Sequence, residues 1–177
     1  MIVPEIETAR LKLRAFTPAD LDALFLVFGD SEVMRYISGG KPRSLEETNK
    51  GMLRTVEGWR KRGFGLWAVV EKESGRLIGY CGLIPLEETS EIEVAYALAK
   101  EHWGKGYAAE AALAALRFGF ETLRRERIVA VVNPENVSSR RVLEKLGMTY
   151  VKMAHHYDAD LMYYEMTRAS FDLSAQN

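Results

Sequence analysis

The chain has 177 residues, 47% hydrophobic and 28% charged, with a net charge of −1, which describes one water-soluble globular domain over 1–177 with enough apolar surface for a continuous core. Its longest apolar runs, such as 66–70 and 111–116, fall far short of the ~20 residues needed to span a bilayer, and near-neutral charge argues against nucleic acid as the main partner. The single cysteine, Cys81, excludes an intrachain disulfide and any multi-cysteine zinc site.

Met1-Ile2-Val3-Pro4-Glu5 carries neither a basic opening nor an apolar stretch, so no secretory signal is read and a cytoplasmic location is expected. Thr8 to Arg14 alternates Leu11 and Leu13 with Arg10, Lys12 and Arg14, the period of a half-buried strand. Thr17-Pro18-Ala19-Asp20 then supplies an N-cap, a proline and an early acid ahead of the stripe Leu21, Leu24, Phe25, Phe28, predicting a helix to about Gly29. Ser44-Leu45-Glu46-Glu47 has the form of a capping box, and Met52, Leu53, Val56 and Trp59 carry that helix to Arg62-Gly63.

From Gly65 the pattern turns to strands. Leu66 to Glu71 and Arg76 to Ile84 flank the turn Lys72-Glu73-Ser74-Gly75, and Glu91 to Leu98 alternates again, so an antiparallel meander is expected. A long alanine-rich helix from about Lys105 to Leu123 follows, then the apolar run Ile128 to Val132, then a helix from Val137 to Leu146 with Gly147 as its C-cap. Thr149 to His156 and Leu161 to Thr167 read as a final hairpin.

A strand ending near Leu98 and a glycine-rich turn opening a helix meet the requirements of an anion site, because the first amides of a helix lack internal partners and the helix dipole favours negative charge there. Gly104 and Gly106 would let the backbone approach phosphate oxygens without a Cβ in the way. No Lys-Ser/Thr pair follows Gly106, as a P-loop needs, and no third glycine stands at dinucleotide-fingerprint spacing. Residues 100–145 hold nine Lys/Arg against six Glu, a modest excess that suits a small polyanion better than a duplex. Glycines near a helix start also serve as plain turns, so the spacing alone leaves both readings open.

Three ordered blocks carry a resemblance: Glu93 to Leu98, His102 to Ala111 (His-Trp-Gly-Lys-Gly-Tyr-Ala-Ala-Glu-Ala), and Asn136 to Met148 (Asn-Val-Ser-Ser-Arg-Arg-Val-Leu-Glu-Lys-Leu-Gly-Met). Together with Thr8 to Arg14 and Glu32 to Tyr36, they make nearly the whole chain similar to GNAT acetyltransferases, in the branch of the ribosomal-protein N-terminal acetyltransferases. The resemblance implies an α/β fold in which a mixed, centrally splayed β-sheet is flanked by helices on both faces. It implies acetyl-CoA as acyl-donor cosubstrate, with the pyrophosphate on backbone amides of the loop Trp103, Gly104, Lys105, Gly106, Tyr107 and Ala108. Trp103 departs from the Gln/Arg that usually opens this loop. The pantetheine arm would add like a strand along Tyr96, Ala97 and Leu98, and Asn136, Ser139 and Arg140 would complete the cofactor contacts. Asn136 serves equally as the N-cap of the helix after it.

Acetyl transfer from a thioester to an amine needs a neutral amine, a polarised carbonyl and a stabilised thiolate. Glu93 and Glu91 share one strand face, and Glu93 is favoured as the base. Many members of the family carry an acidic tyrosine seven residues after the asparagine, where this chain has Leu143, and the resemblance offers Ser139 in its stead. A thiol near pKa ~8.5 leaves readily enough that a strong acid is not required. Cys81, with no histidine beside it in sequence, reads as packing and not as an acyl carrier, so direct transfer in a ternary complex is expected. His155 and His156 alternate across a strand and cannot readily share a metal, so no metal is expected. Trp59, Trp67, Tyr80 and Tyr96 are pocket candidates that serve as well in the core. The resemblance implies a primary amine as acceptor, with a protein N-terminus as the first candidate. The alternatives are a small amine (amino acid, polyamine or antibiotic) and a non-catalytic acyl-CoA-binding module, with monomer and homodimer both open.

Overall fold

The computed structural model describes residues 2–174. Buried Leu11 and Leu13 alternate with half-buried Lys12 and Arg14 in β2 (Leu11–Arg14), and a two-residue strand, β1 (Ile6–Glu7), pairs with it. The meander follows as β3 (Leu66–Glu71), β4 (Leu77–Pro85) and β5 (Ile92–Leu98). Then come β6 (Arg127–Val132) and the hairpin β7 (Thr149–His156) and β8 (Ala159–Thr167). They form one eight-stranded sheet in the order β1-β2-β3-β4-β5-β6-β8-β7. Every neighbouring pair is antiparallel except β5 and β6.

The helices are α1 (Leu21–Phe28), α2 (Ser31–Met34), α3 (Leu45–Arg62), α4 (Tyr107–Arg117), α5 (Val137–Lys145) and α6 (Arg168–Ser174). The capping box expected at Ser44 forms: Glu47 N–H donates to Ser44 Oγ at 3.2 Å and Ser44 N–H donates to Glu47 Oε2 at 2.7 Å, satisfying two otherwise orphaned donors. Two cores lie on opposite faces of the sheet. On one face, Ala111, Ala115, Leu116 and Leu143 of α4 and α5 pack with Leu83, Val94 and Ile128. On the other, Leu24, Phe28, Met34 and Met52 of α1, α2 and α3 pack against Ala68, Tyr80 and Ala97. Helices therefore cover both faces, as expected. Among the described residues no helix is long and apolar enough to cross a membrane.

The sequence pattern misplaces one helix end and misses one short strand and two short α-helices. The helix expected to reach Leu123 is α-helical only to Arg117, and Phe118–Thr122 widens into a π-helical turn. Gly119 sits there against β6 and β4, so close that a Cβ would stand 2.4 Å from Ile128 Cδ1 and 3.0 Å from Leu83 Cδ1. β1 and α2, at two and four residues, are too short for either periodicity to register, and α6 follows β8 with no turn residue between them.

Candidate active site

The break in the sheet lies between β5 and β6. They meet at the parallel pair Glu93↔Val129 and, among the described residues, at no later position, so their carboxyl ends diverge. Along β5, Ala99 N–H donates to Ile78 O and Leu86 N–H to Glu91 O, which fixes the odd-numbered residues as the ones bonded to β4. The backbone groups of Tyr96 and Leu98 consequently point into the divergence, since alternate residues of a strand direct their N–H and C=O to opposite sides. Leu98 C=O is taken there by the Trp103 indole N–H at 2.8 Å. The amide and carbonyl of Tyr96 and the amide of Leu98 face the gap.

Two helix N-termini flank this gap. Gly106 is the N-cap of α4 with φ 81° and no side-chain cap, and Gly104 has φ 73°, backbone conformations that glycine adopts without strain. The first intrahelical bond runs from Glu110 N–H to Gly106 O, so the amides of Tyr107, Ala108 and Ala109 have no helical partner. Residues 103–106 are exposed.

The loop is braced from a distant part of the chain. Arg10 donates to Lys105 O at 2.8 Å through Nη1 and to Glu110 Oε2 at 2.7 Å through Nε, and its guanidinium stacks 4.4 Å from the centre of the Tyr107 ring. Thr8 Oγ1 donates to Glu110 Oε1 at 2.6 Å, and Arg10 N–H donates to the same oxygen at 2.8 Å. Burial works against the Glu110 charge, but these donors hold its carboxyl below the ordinary value. Arg10 and Glu110 are 100 residues apart and no local signal links them.

Across the gap, Asn136 caps α5 by accepting from Ser139 N–H at 3.1 Å, so its N-cap reading is realised. The Tyr96 hydroxyl lies 2.9 Å from Ser139 Oγ, bridging β5 to the first turn of α5. Burial pushes the Tyr96 phenol well above its ordinary value, keeping it protonated. Leu143 is buried in the core, so the hydroxyls near the gap come from Tyr96 and Ser139. Arg140 Nη1 donates to Pro134 O at 3.3 Å while its Nε is buried without a partner.

Glu93 and Ser139 lie on opposite faces of β5. The face bearing Glu93, Ala95 and Ala97 looks toward α1 and α3, and the face bearing Val94 and Tyr96 looks toward α4 and α5. Glu93 is 5% exposed. Burial pushes its carboxyl up to about 7, helped by the charge of Glu87 and opposed by a hydrogen bond from Tyr157. The Tyr157 hydroxyl donates to Glu93 Oε1 at 2.5 Å. Glu91 is engaged instead by the Arg127 guanidinium. Of the two carboxylates offered by the sequence, Glu91 is held in an ion pair, and Glu93 is buried with its carboxyl near neutrality, where a general base is most effective.

The remaining candidates divide between core and surface. Trp59 and Trp67 meet edge to face, with centroids 4.7 Å apart inside the core. Cys81 is fully buried, and burial pushes its thiol far above the ordinary value, which disfavours the thiolate. His155 pairs with Asp160 and His156 with Glu87. A pocket of about 100 Å³, lined in part by Phe28, Arg43, Met52, Leu66 and Tyr80, opens on the same sheet face as Glu93. A larger concavity of about 560 Å³ lies between residues 4–9 and the outer side of α4, remote from Glu93.

A family model described as an acetyltransferase (GNAT) domain matches residues 10–149. The uncharacterized protein YkkB of Bacillus subtilis is 36% identical over 169 residues, covering 91% of this chain and 94% of that protein. YdaF of the same organism, a putative ribosomal N-acetyltransferase, is 24% identical over 92% of this chain and 93% of its own. The crystal structure of an acetyltransferase from Agrobacterium tumefaciens superposes with a TM-score of 0.82 at 31% identity, covering 94% of this chain and 95% of that one.

Proposed function

Because the chain belongs to the GNAT acetyltransferase family, we propose that it transfers an acetyl group from acetyl-CoA to a primary amine by direct attack in a ternary complex. The observation that carries this reading is the gap beyond Glu93↔Val129, which has unpaired β5 amides on one side, an uncapped glycine-rich helix start at its mouth and a buried carboxyl near neutrality on the acceptor face. The residues present fit the cofactor. The loop from Trp103 to Ala108 offers backbone donors to a pyrophosphate, Tyr96 and Leu98 offer strand-like bonding to the pantetheine amides, and the orphaned Arg140 Nε is a donor in need of a partner.

In this reading Glu93 accepts the proton of the acceptor ammonium. The freed amine attacks the thioester carbon, the C–S bond breaks, and the second proton of the attacking nitrogen passes to the departing thiolate, which the Ser139 hydroxyl, itself hydrogen-bonded to Tyr96, stabilises by a hydrogen bond. A thiolate is a good leaving group near neutral pH, so Ser139→Ala is expected to lower kcat by less than about tenfold, a loss of ~1.4 kcal/mol or less. Steady-state kinetics at saturating acetyl-CoA measures it.

The acceptor we favour is a protein N-terminal α-amine, supported by the likeness to YdaF, which is named as a putative ribosomal N-acetyltransferase. The test is thiol release from acetyl-CoA across peptides with free N-termini, amino acids, polyamines and aminoglycosides. Release with peptides supports the reading, and release with small amines alone replaces the acceptor class. Binding of acetyl-CoA with no release from any amine would leave a non-catalytic module in its place. A cytoplasmic location is part of the same proposal.

A further inference from the structure

Glu93 is held from outside its own strand. The β7–β8 hairpin closes with His156 opposite Ala159, and its two turn residues, Tyr157 and Asp158, have φ values of 52° and 58°. Two-residue hairpin turns with positive φ at both positions favour Asn-Gly or Asp-Gly, so a bulky aromatic at the first position works against local preference. Glu87, in the β4–β5 connection, also has positive φ, at 50°. Its carboxylate grips the hairpin at two points: Oε1 accepts from Tyr157 N–H at 2.9 Å, and Oε2 lies 2.7 Å from His156 Nδ1. Among the described residues, four non-glycines have positive φ, and three of them, Glu87, Tyr157 and the adjoining Asp158, lie at or beside this one contact. Backbone conformations of this kind persist where surrounding structure over-determines them, and they gather at functional sites.

What the clamp delivers is the Tyr157 hydroxyl, which donates to Glu93 Oε1. Tyr157 is 42% exposed while Glu93 is buried, so the ring contributes little core packing while its hydroxyl donates to a buried carboxylate. From the geometry we propose that Tyr157 is a positioning residue for the base: it fixes Glu93 through Oε1, leaving Oε2 directed to the acceptor amine, and the Glu87 clamp on the hairpin sets Tyr157 in place. This rests on the reading of Glu93 as the base. A tyrosine donor favours the charged form of its carboxylate, so Tyr157 also opposes the upward push of burial on the Glu93 carboxyl. The titratable groups facing Glu93 are Tyr157 and Glu87, with His156 behind Glu87 and Tyr80 of β4 on the same sheet face.

The experiment is a carboxyl ¹³C titration of Glu93 in protein labelled at glutamate, with Glu93→Gln identifying the resonance, alongside pH profiles of kcat/KM using an acceptor that supports thiol release in the screen described above. Tyr157→Phe removes the donor and keeps the ring. The expected result is an upward shift of the Glu93 midpoint by about half a pH unit or more, the same upward shift of the acid limb of kcat/KM, and an unchanged KM for acetyl-CoA. Tyr157→Ala should shift both in the same sense. His155→Ala, on the same hairpin but paired to Asp160, should shift neither, which separates loss of the hydroxyl from loosening of the hairpin. An unmoved or lowered midpoint in Tyr157→Phe would overturn the proposal, and so would a shifted midpoint with an unmoved acid limb. Full activity in Glu93→Gln would instead overturn the base assignment beneath it, a distinguishable failure because the titration is read without turnover.

Discussion

Replacing Glu93 with Gln is expected to lower kcat/KM by about 10²–10⁴-fold, the range that a positioned acid or base contributes, while leaving acetyl-CoA affinity unchanged. The side chain lies on the face of β5 that looks toward α1 and α3, opposite the face that carries Tyr96 toward Ser139. Glutamine keeps the shape and can still accept from Tyr157, so the loss isolates proton transfer. The pH dependence has a definite sign. The competent base is the carboxylate, and burial pushes its carboxyl up to about 7, so wild-type activity should rise as pH climbs through about 7 and level above it. Glu93→Gln should lack that inflection. Glu91→Gln should keep it, because Glu91 is already engaged by Arg127. Rates at saturating acetyl-CoA from pH 5.5 to 9, a range chosen to span about two units around that value, would measure all three proteins.

The second large effect lies at the glycine-rich loop before α4. Gly106→Val is expected to weaken acetyl-CoA binding by about a hundredfold. The φ of 81° at Gly106 is one that a β-branched residue avoids, with a left-handed conformation costing ~1–2 kcal/mol even for an ordinary side chain. The cheaper response is for the loop to leave this conformation, turning the amides of Tyr107 and Ala108 away from the pyrophosphate. A hydrogen bond to a charged group contributes ~1.5–3 kcal/mol, so losing two amounts to ~3 kcal/mol, or roughly a hundredfold in Kd. Calorimetric titration with acetyl-CoA reads the loss. The thermal midpoint without cofactor should fall only a few degrees, since residues 103–106 are exposed and contribute little to the core.

Much of this architecture is legible in the sequence because its signals are local. The capping box at Ser44 and Glu47 and the alternation in β2 and β5 each depend on residues within one element. So does the N-cap at Asn136. The glycine loop before α4 is legible for the same reason, and Gly104 and Gly106 adopt the positive φ that glycine permits. What sequence cannot carry is contact between distant segments. Arg10 and Glu110 join across 100 positions to brace the loop, and Tyr96 reaches Ser139 across 43. Tyr157 and Glu93 are 64 apart. Tyr157 is hidden for a further reason: Tyr-Asp is not a turn signal, so the sequence marks the hairpin but not the residue at its tip. Glu91 and Glu93 look alike in an alternating strand, and only the burial of one and the ion pair of the other separates them.

The central claim is that acetyl-CoA occupies the gap between β5 and β6 with its pyrophosphate on the start of α4. Amide chemical shifts of ¹⁵N-labelled protein during titration with acetyl-CoA test it most directly. The account predicts that Gly104, Gly106, Tyr107 and Ala108 shift together with Tyr96 and Leu98, saturating at one common affinity that Gly106→Val reduces. Shifts confined to the concavity between residues 4–9 and the outer side of α4, with the amides of Tyr96 and Gly106 unmoved, would contradict it.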